Sequence, residues 1–238
     1  MSLLLVLPAV GVILFLGRGF SASLRLAWLM AQVQFAIGVP FMAKNPRGYA
    51  ARAFELSRQF KFEWTVNWRM LGEELFLSKS LALLLLFLHA TVLLVFIANR
   101  WIKPAGRPLS ALIPSFLRVK SPFTQHEELR ISNSVTPQYV MTTMLSANVI
   151  GLLFARSLHY QFYAYLAWAS PYLLWRATRS PLIVVPLWLA QEWAWNVFPS
   201  TVVSSIDVVG VLFATVVLVY FGTDDSTPEV EDVEAKNK

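Results

Sequence analysis

Three short segments of the sequence concentrate the residue types that hydrogen-bond a sugar or bind a phosphate. They run from Lys61 to Phe76, from Arg156 to Tyr163 and from Gln191 to Thr201. Each segment adjoins an apolar stretch, which would hold its polar and aromatic side chains near a membrane surface. The sequence therefore predicts polar binding chemistry at the edge of an apolar protein.

The first segment alternates between apolar and polar residues. From Phe60 to Met70 every even position is apolar or aromatic, and the odd positions carry Lys, Glu, Thr, Asn and Arg. This pattern predicts an extended segment with its aromatic row toward lipid and its polar row toward water. A helix is the alternative, in which four residues share a face: Trp64, Trp68, Leu71 and Leu75. The charges of this segment fit an interfacial anchor and a binding site equally well. The residues predicted to bind substrate are Asn67, Arg69, Glu73 and Glu74.

The second segment lies at the junction of two apolar stretches. Its arginine offers a planar fork of donors that suits a phosphate, and His and Tyr can hydrogen-bond sugar or phosphate oxygens. On a helix, Arg156, His159 or Tyr160, and Tyr163 would lie on one face. The structural alternative is an aromatic belt with a snorkelling arginine. The residues predicted to bind substrate are Arg156, His159, Tyr160 and Gln161.

The third segment places Glu192 and Asn196 one helical turn apart within an apolar run. An ionisable group at membrane depth is costly and usually faces a cavity or a partner. Both residues are therefore predicted to bind substrate. The equally weighted alternative is a buried Glu192 paired with an arginine or a tryptophan N–H. Asp207, just inside the last apolar stretch, is expected to cap a helix.

The composition indicates a membrane protein. Of 238 residues, 56% are hydrophobic and 14% charged, which leaves more apolar surface than a soluble domain of this length can bury. Nine Trp and seven Tyr suit two membrane–water interfaces. The absence of cysteine excludes disulfides and thiolate metal sites. The net charge of +6 is spread between apolar runs, so we expect no nucleic-acid partner.

Familiar signatures of soluble enzymes are missing. The segment His126–Arg130 ends in Arg where a zinc-protease helix needs a second His. The sequence has no Walker motif and no complete dinucleotide-binding loop, and Asp224 and Asp225 lie in an acidic tail. We therefore expect no metal site and no nucleotide-dependent chemistry.

The hydropathy pattern predicts an all-α, polytopic integral membrane protein with about seven transmembrane helices. The seven apolar stretches are Ser2–Gly17, Leu26–Ala43, Leu81–Ala98, Tyr139–Ala155, Phe162–Trp175, Leu182–Phe198 and Ile206–Phe221. We expect residues 1–222 to form one transmembrane domain. Residues 223–238 are expected to form an acidic, disordered cytosolic tail.

Loop charge predicts the orientation. The basic loops Arg18–Arg25 and Asn99–Thr136 and the turn after Trp175 fall on one side by alternation, which is expected to be the cytosol. The loop Lys44–Lys79 then lies on the luminal side although it is basic, which we interpret as a sign of function. The same alternation places Met1 in the lumen, although the first apolar stretch does not resemble a signal peptide. We therefore expect an odd number of spans before Met1, and we interpret the chain as truncated.

Together the three segments resemble the dolichyl-phosphate-mannose-dependent α-1,3-mannosyltransferases of asparagine-linked glycosylation. The resemblance is carried by Trp64-Thr-Val-Asn-Trp-Arg69, by Ser157-Leu-His-Tyr-Gln-Phe-Tyr163 and by Trp195-Asn196 with Pro199-Ser-Thr201. It extends from near Met1 to about Phe221.

This resemblance implies a GT-C-type fold in the endoplasmic-reticulum membrane, with a luminal active site and no cofactor. It implies transfer of mannose from dolichyl-phosphate-mannose to Man5GlcNAc2-PP-dolichol in α-1,3 linkage, with inversion. Basic luminal residues would stabilise the leaving phosphate. The family's acidic base lies in a longer N-terminal part with no counterpart here, so no catalytic base is assigned and this chain alone is expected to be incomplete as an enzyme. The alternative is a non-catalytic lipid transporter or accessory subunit.

Overall fold

The computed structural model describes residues 5–53 and 61–223, and within those ranges the chain is helical with no β-strand, as predicted. The predicted tail lies outside the described residues except for Thr223. The helices, numbered here in chain order, are α1 Leu7–Arg18, α2 Phe20–Lys44, α3 Pro46–Ala53, α4 Glu73–Leu77, α5 Lys79–Phe96, α6 Leu109–Leu117, α7 Gln125–Asn133, α8 Pro137–Leu153, α9 Tyr163–Thr178, α10 Pro181–Asn196 and α11 Val202–Gly222.

Each of the seven apolar stretches corresponds to one helix, namely α1, α2, α5, α8, α9, α10 and α11. Three helices in the described part are long and apolar enough to cross a membrane: α2, α5 with its π-turn Ile97–Trp101, and α11. Helix α1 is apolar but shorter, and α8, α9 and α10 contain 17, 16 and 16 residues. The chain is thus a helical membrane protein with three candidate spans, and the number seven stays a prediction.

Helix α8 lies at the centre of the bundle. Most of its residues are buried, and it packs against α1, α5, α9 and α11. Small side chains such as Ala147 permit close helix contacts, which is how helices associate where lipid supplies no hydrophobic drive. Gly151 allows a close approach of Leu5, because a Cβ there would lie 2.7 Å from Leu5 Cδ1 and 2.9 Å from Leu5 Cβ. A larger residue at position 151 would therefore displace Leu5, which lies just before α1.

The helix directions divide the turns between two ends of the bundle. Leu5 against Gly151 places the start of α1 beside the end of α8. At the opposite end the Phe20 N–H donates to Glu128 at 3.3 Å, and Arg100 donates to the Thr223 carbonyl at 2.5 Å. The first end, called the motif end, holds residues 61–72, 154–162 and 197–201. The second, called the Arg100 end, holds residues 18–20, 97–136, 178–180 and Thr223.

Helix α7, which is capped at its start, covers part of the Arg100 end and packs against α1. The Thr124 hydroxyl accepts the Glu127 N–H and the Glu127 carboxylate accepts the Thr124 N–H, which forms a capping box on α7. Arg107 forms a salt bridge with Glu127 at 2.5 Å. The hydrogen bonds from Thr124, followed by the nearby arginines, lower the pKa of Glu127. The predicted loop Asn99–Thr136 is therefore a folded element.

Candidate functional site

The three polar segments meet at the motif end and are joined by hydrogen bonds to backbone carbonyls. The Val66 N–H donates to the Leu158 carbonyl at 2.9 Å, which joins the first segment to the second. The Ser200 hydroxyl donates to the Thr65 carbonyl at 2.6 Å, which joins the first segment to the third. These bonds are buried, so each partner replaces water that the group has lost. Residues far apart in sequence therefore form one site.

Asn67 is the centre of this junction. Its Oδ1 accepts the Leu158 N–H at 2.8 Å and the Thr65 hydroxyl at 2.8 Å, and its Nδ2 donates to the Ala155 carbonyl at 2.7 Å. The side chains of Thr65 and Asn67 are both 0% exposed. The prediction that this polar row faces water is therefore wrong for these two residues. Asn67 binds backbone groups of Ala155 and Leu158, and the Thr65 hydroxyl donates to Asn67. Contact of Asn67 with substrate stays a prediction.

The backbone of the first segment is neither a continuous strand nor a helix. Two short 3-10 turns, Phe62–Trp64 and Arg69–Leu71, flank the extended residue Thr65 and a bend over residues 66–68. Between them Trp68 adopts a left-handed conformation with φ of 55°, which is unfavourable for a bulky residue. Its indole N–H donates to the Ala155 carbonyl at 3.1 Å and helps to hold that conformation. Both predicted conformations of this segment are thus wrong as continuous structures.

Arg69 is half-buried and held by its own segment. Its Nη1 donates to the Phe62 carbonyl at 3.0 Å and to the Glu63 carbonyl at 3.3 Å, and its guanidinium lies over the Phe62 ring at 4.8 Å. Its backbone N–H donates to the Ser205 hydroxyl at 2.8 Å. The guanidinium therefore has a fixed position at the motif end, close to α11.

Glu73 and Glu74 lie in the first turn of α4, and both are exposed. Acidic residues are favourable there because the N-terminus of a helix carries a partial positive charge. Helix α4 begins after Gly72, whose φ of 78° is a conformation that glycine adopts without strain. Both carboxylates are thus presented to solvent at the motif end.

Arg156 joins the second segment to the end of α4. Its Nη2 donates to the Leu77 carbonyl at 2.7 Å and to the Phe76 carbonyl at 3.3 Å, and its Nε lies 3.4 Å from the Phe76 carbonyl. These carbonyls belong to the last turn of α4, where no N–H of the same helix donates to them. The Nη1 of Arg156 has no protein partner within residues 5–53 and 61–223. The guanidinium is therefore anchored on one side and has donors left on the other.

The predicted helical face of the second segment is wrong. Residues 155–159 are not helical, and only Tyr160–Phe162 forms a 3-10 turn before α9 begins at Tyr163. The Tyr160 hydroxyl donates to the Val197 carbonyl at 2.7 Å, which links the second segment to the third. His159 is half-buried and stacks near Phe162 with ring centroids 6.5 Å apart. Gln161 is exposed.

In the third segment Glu192 and Asn196 are one helical turn apart, as predicted. The Asn196 Nδ2 donates to the Glu192 carbonyl oxygen at 2.7 Å. The Glu192 carboxylate accepts a hydrogen bond from the Tyr163 hydroxyl. Its partner is thus a tyrosine rather than the arginine or tryptophan considered from the sequence. Glu192 is half-buried and Asn196 exposed, so both remain accessible at the motif end.

Four polar residues of this site were not among those predicted to bind substrate. Beside Glu192, Gln191 is buried and accepts the Ser170 hydroxyl at 2.6 Å. Ser200 and Ser205 are buried and bind the first segment, and Tyr163 binds Glu192. The sequence signal that could have identified them is a polar residue inside an apolar run. Burying such a residue costs free energy unless it forms a hydrogen bond.

Asp207 does not cap α11. The cap is Thr201, whose hydroxyl accepts the Ser204 N–H at 3.1 Å while the Ser204 hydroxyl accepts the Thr201 N–H at 2.9 Å. Asp207 lies more than one turn inside the helix, and its Oδ2 is buried with no hydrogen-bond partner among the described residues. The prediction of a cap at Asp207 is therefore wrong, because the helix begins four residues before the predicted stretch.

The motif end combines donors and acceptors that suit a polar ligand at a membrane surface. Exposed carboxylates and amides can hydrogen-bond sugar hydroxyls, and the two anchored arginines can bind a phosphate. Among residues 5–53 and 61–223, no group of three or more His, Asp or Glu side chains could hold a metal ion. The fold and site define a helical membrane protein with a polar surface site built from three distant segments.

The comparisons with known proteins assign the family. The ALG3 protein family matches residues 1–205, and the chain belongs to this family, which confirms the resemblance. A Neurospora crassa protein is 61% identical over 224 residues, which cover 93% of this chain and 51% of that protein. A human protein is 39% identical over 209 residues, which cover 86% of this chain and 45% of that protein. Both are named Dol-P-Man:Man(5)GlcNAc(2)-PP-Dol alpha-1,3-mannosyltransferase.

The match covers only part of those relatives. The chain spans about half the length of the curated relatives that it matches. No solved structure matches the chain.

Proposed function

We propose that this chain is part of an endoplasmic-reticulum mannosyltransferase. The reaction is transfer of mannose from dolichyl-phosphate-mannose to Man5GlcNAc2-PP-dolichol in α-1,3 linkage, for lipid-linked oligosaccharide assembly. The observation that carries the proposal is the convergence of all three motif segments at one end of the bundle, in a chain whose relatives bear that name. If the three motifs were unrelated surface loops, nothing would require the three segments to lie together.

The proposed fold is of the GT-C type with seven spans. Helices of 16 or 17 residues reach roughly 24–26 Å, a few ångströms less than a hydrocarbon core of about 30 Å. The turns that follow α8 and α10 at the motif end extend that reach. Packing in a bundle also tolerates the proline residues within α9 and α10.

The proposed orientation places the motif end in the lumen. The Arg100 end holds most of the basic loop residues that alternation assigned to the cytosol, and loops rich in Lys and Arg favour that side. The exception is the basic loop before α5, whose described residues 61–72 lie at the motif end, where positive charge would serve the anionic substrates.

The proposed chemistry separates residues that contact substrate from residues that position them. Exposed or half-exposed side chains of the motif end contact the sugar and phosphate groups: Arg69, Glu73, Glu74, Arg156, His159, Gln161, Glu192 and Asn196. Asn67 and Tyr160 hold the segments in place through their hydrogen bonds. A single displacement that inverts the donor's β-mannosyl centre needs a general base on the acceptor hydroxyl and donors for the departing phosphate. This chain supplies the donors, and we assign it no base.

The test is mannose transfer by the purified full-length protein in liposomes. With radiolabelled dolichyl-phosphate-mannose and Man5GlcNAc2-PP-dolichol, we expect one labelled mannose on the acceptor, released by an α-1,3-specific mannosidase. A protein that binds both lipids without forming the glycosidic bond would instead be a transporter or an accessory subunit. Boiled protein and acceptor-free liposomes are the controls.

A further inference from the structure

The end of helix α6 exposes apolar side chains on the outside of the bundle. One side of this helix is held in place, because Phe116 packs edge-on against the Phe15 ring with centroids 5.1 Å apart. On the other side Ile113 is 45% exposed and Leu117 is 79% exposed. We call residues 113–120 the α6 tip. None of its residues takes part in the proposed mannose transfer.

The α6 tip lies at the level of the membrane surface on the side of the Arg100 end. Phe116 stacks on Phe20 with ring centroids 5.8 Å apart, and Phe20 is the first residue of α2, a candidate membrane span. The candidate span that contains α5 ends at Trp101, shortly before α6 begins at Leu109. Apolar side chains exposed at this level lie where a bilayer changes from headgroups to hydrocarbon.

Val119 occupies a position where glycine is usual. It follows the end of α6 with φ of 55°. The chain forms a Schellman turn there, in which the Lys120 N–H donates to the Ser115 carbonyl at 3.0 Å and the Val119 N–H to the Phe116 carbonyl at 2.9 Å. A β-branched residue is strained in this left-handed conformation. Val119 is also 69% exposed, so burial within the described chain does not compensate for the strain. A contact outside the chain would compensate for it.

Two cations flank Val119. Arg118 and Lys120 are both exposed, and neither side chain forms an ion pair or a hydrogen bond with another residue of the ranges 5–53 and 61–223. Both carboxylates of helix α7, which follows, are bound elsewhere, to Arg107 at 2.5 Å and to Ser121 at 2.6 Å. The positive charge of the α6 tip is therefore left for an anionic partner.

We propose that the α6 tip inserts into the bilayer surface and binds anionic phospholipid headgroups. Leu117 and Val119 enter the boundary between headgroups and acyl chains, while Arg118 and Lys120 bind the phosphate and carboxylate groups beside them. A bilayer surface offers this combination of hydrocarbon and negative charge to alternating apolar and basic side chains. The proposal does not rest on the proposed function, because it uses no residue of the motif end.

The first test measures whether lipid reaches the α6 tip in purified full-length protein, reconstituted in phosphatidylcholine nanodiscs. Ile113→Cys carries an environment-sensitive fluorophore, and cysteines outside this chain are replaced by serine. Lipids with a nitroxide on the acyl chain should quench this probe several times more than a control probe at Gln125→Cys, in the exposed polar start of α7. Equal, weak quenching of the two probes would mean that a second copy or the rest of the full-length protein covers the α6 tip, and would overturn the proposal.

The second test compares nitroxide-labelled phosphatidylserine with phosphatidylcholine at equal mole fraction. Phosphatidylserine should quench the Ile113 probe at least about fivefold more effectively, because one cation near an anionic surface contributes a factor of that size. Arg118→Gln should lower this preference, and its combination with Lys120→Gln should abolish it. The matched control is Arg130→Gln, an exposed arginine of the same end outside α6, which should keep it.

Two results of the second test would overturn the proposal. Equal quenching of wild type by the two lipids would mean that the α6 tip does not bind anionic headgroups. Equal losses in Arg118→Gln and Arg130→Gln would mean that the lipid responds to general surface charge.

The third test uses Val119→Gly to separate a lipid contact from a protein contact. Glycine adopts φ of 55° without strain, so in detergent the melting temperature of the variant should equal or exceed that of wild type. In nanodiscs, nitroxide lipids should quench its Ile113 probe less, whereas Val119→Ile, which keeps an apolar side chain, should match wild type. A lower melting temperature of Val119→Gly would show that protein packs on Val119, and unchanged quenching would show that Val119 does not enter the bilayer. Either result would refute the proposal.

Discussion

The side-chain oxygen of Asn67 accepts the backbone N–H of Leu158 at 2.8 Å, across 91 positions of sequence. The same amide donates to the Ala155 carbonyl, so one buried side chain satisfies both a donor and an acceptor of the turn after α8. Backbone groups in such a turn have no helical partners and would be costly to bury alone. Asn67 therefore fixes the position of the second segment relative to the first.

Asn67→Ala should destabilise the protein strongly. It leaves the Leu158 N–H without its acceptor, and it removes one of the two partners of the Ala155 carbonyl and one of the two partners of the Thr65 hydroxyl. A buried group left unpaired costs about 1–3 kcal/mol. The expected result is a clear fall in melting temperature and in the yield of monodisperse protein. The control is Asn133→Ala, an exposed asparagine at the end of α7. Equal melting temperatures for the two variants would contradict the structural role of Asn67.

Glu192→Gln should impair mannose transfer while leaving stability close to wild type. A glutamine oxygen can still accept the Tyr163 hydroxyl, so the packing of α9 against α10 is retained. The charge that we propose to meet the substrate is lost. The measurements are the transfer rate and the melting temperature of the full-length protein, with Tyr163→Phe as the variant that removes only the internal hydrogen bond. If the fall in activity of Glu192→Gln is matched by an equal fall in abundance, Glu192 is structural.

The orientation can be measured with single cysteines, because the chain has none of its own. Lys61 is exposed at the motif end and Ser110 at the Arg100 end, so both positions suit labelling. In sealed microsomes, an impermeant maleimide should label Ser110→Cys and should label Lys61→Cys only after detergent is added. The reverse pattern would place the motif end in the cytosol and overturn the luminal assignment.

The helices were predictable because their apolar runs are long and separated by charged turns. Leu81 to Ala98 falls in one helix with its π-turn, since only His89 and Thr91 interrupt the run. The site was predictable only as three segments, because the identity of a polar residue shows that it needs a partner but not which one. Alternation suggested that Asn67 faces water, whereas its partners lie 88 and 91 positions away. The helical face predicted for Arg156 is wrong because α8 ends at Leu153, before the second segment begins.

The last prediction concerns Arg156, which is anchored by the Phe76 and Leu77 carbonyls and has Nη1 left for a ligand. A donor phosphate gains negative charge as mannose departs, so a guanidinium beside it stabilises the transition state more than the ground state. Arg156→Lys keeps the charge but loses the planar fork, and Arg156→Ala loses both. Loss of a charge-assisted hydrogen bond of roughly 3 kcal/mol corresponds to about a hundredfold in rate.

We therefore expect kcat/KM to fall about a hundredfold in full-length Arg156→Ala and about tenfold in Arg156→Lys. The control is Arg130→Ala, an exposed arginine of α7 at the opposite end, which should keep wild-type activity. Melting temperatures separate the two roles of Arg156, because a side chain that only ties α4 to the second segment would lower stability in both variants and spare the rate of the folded fraction. Transfer by Arg156→Ala within about threefold of wild type, after correction for folded protein, would exclude phosphate binding by this residue.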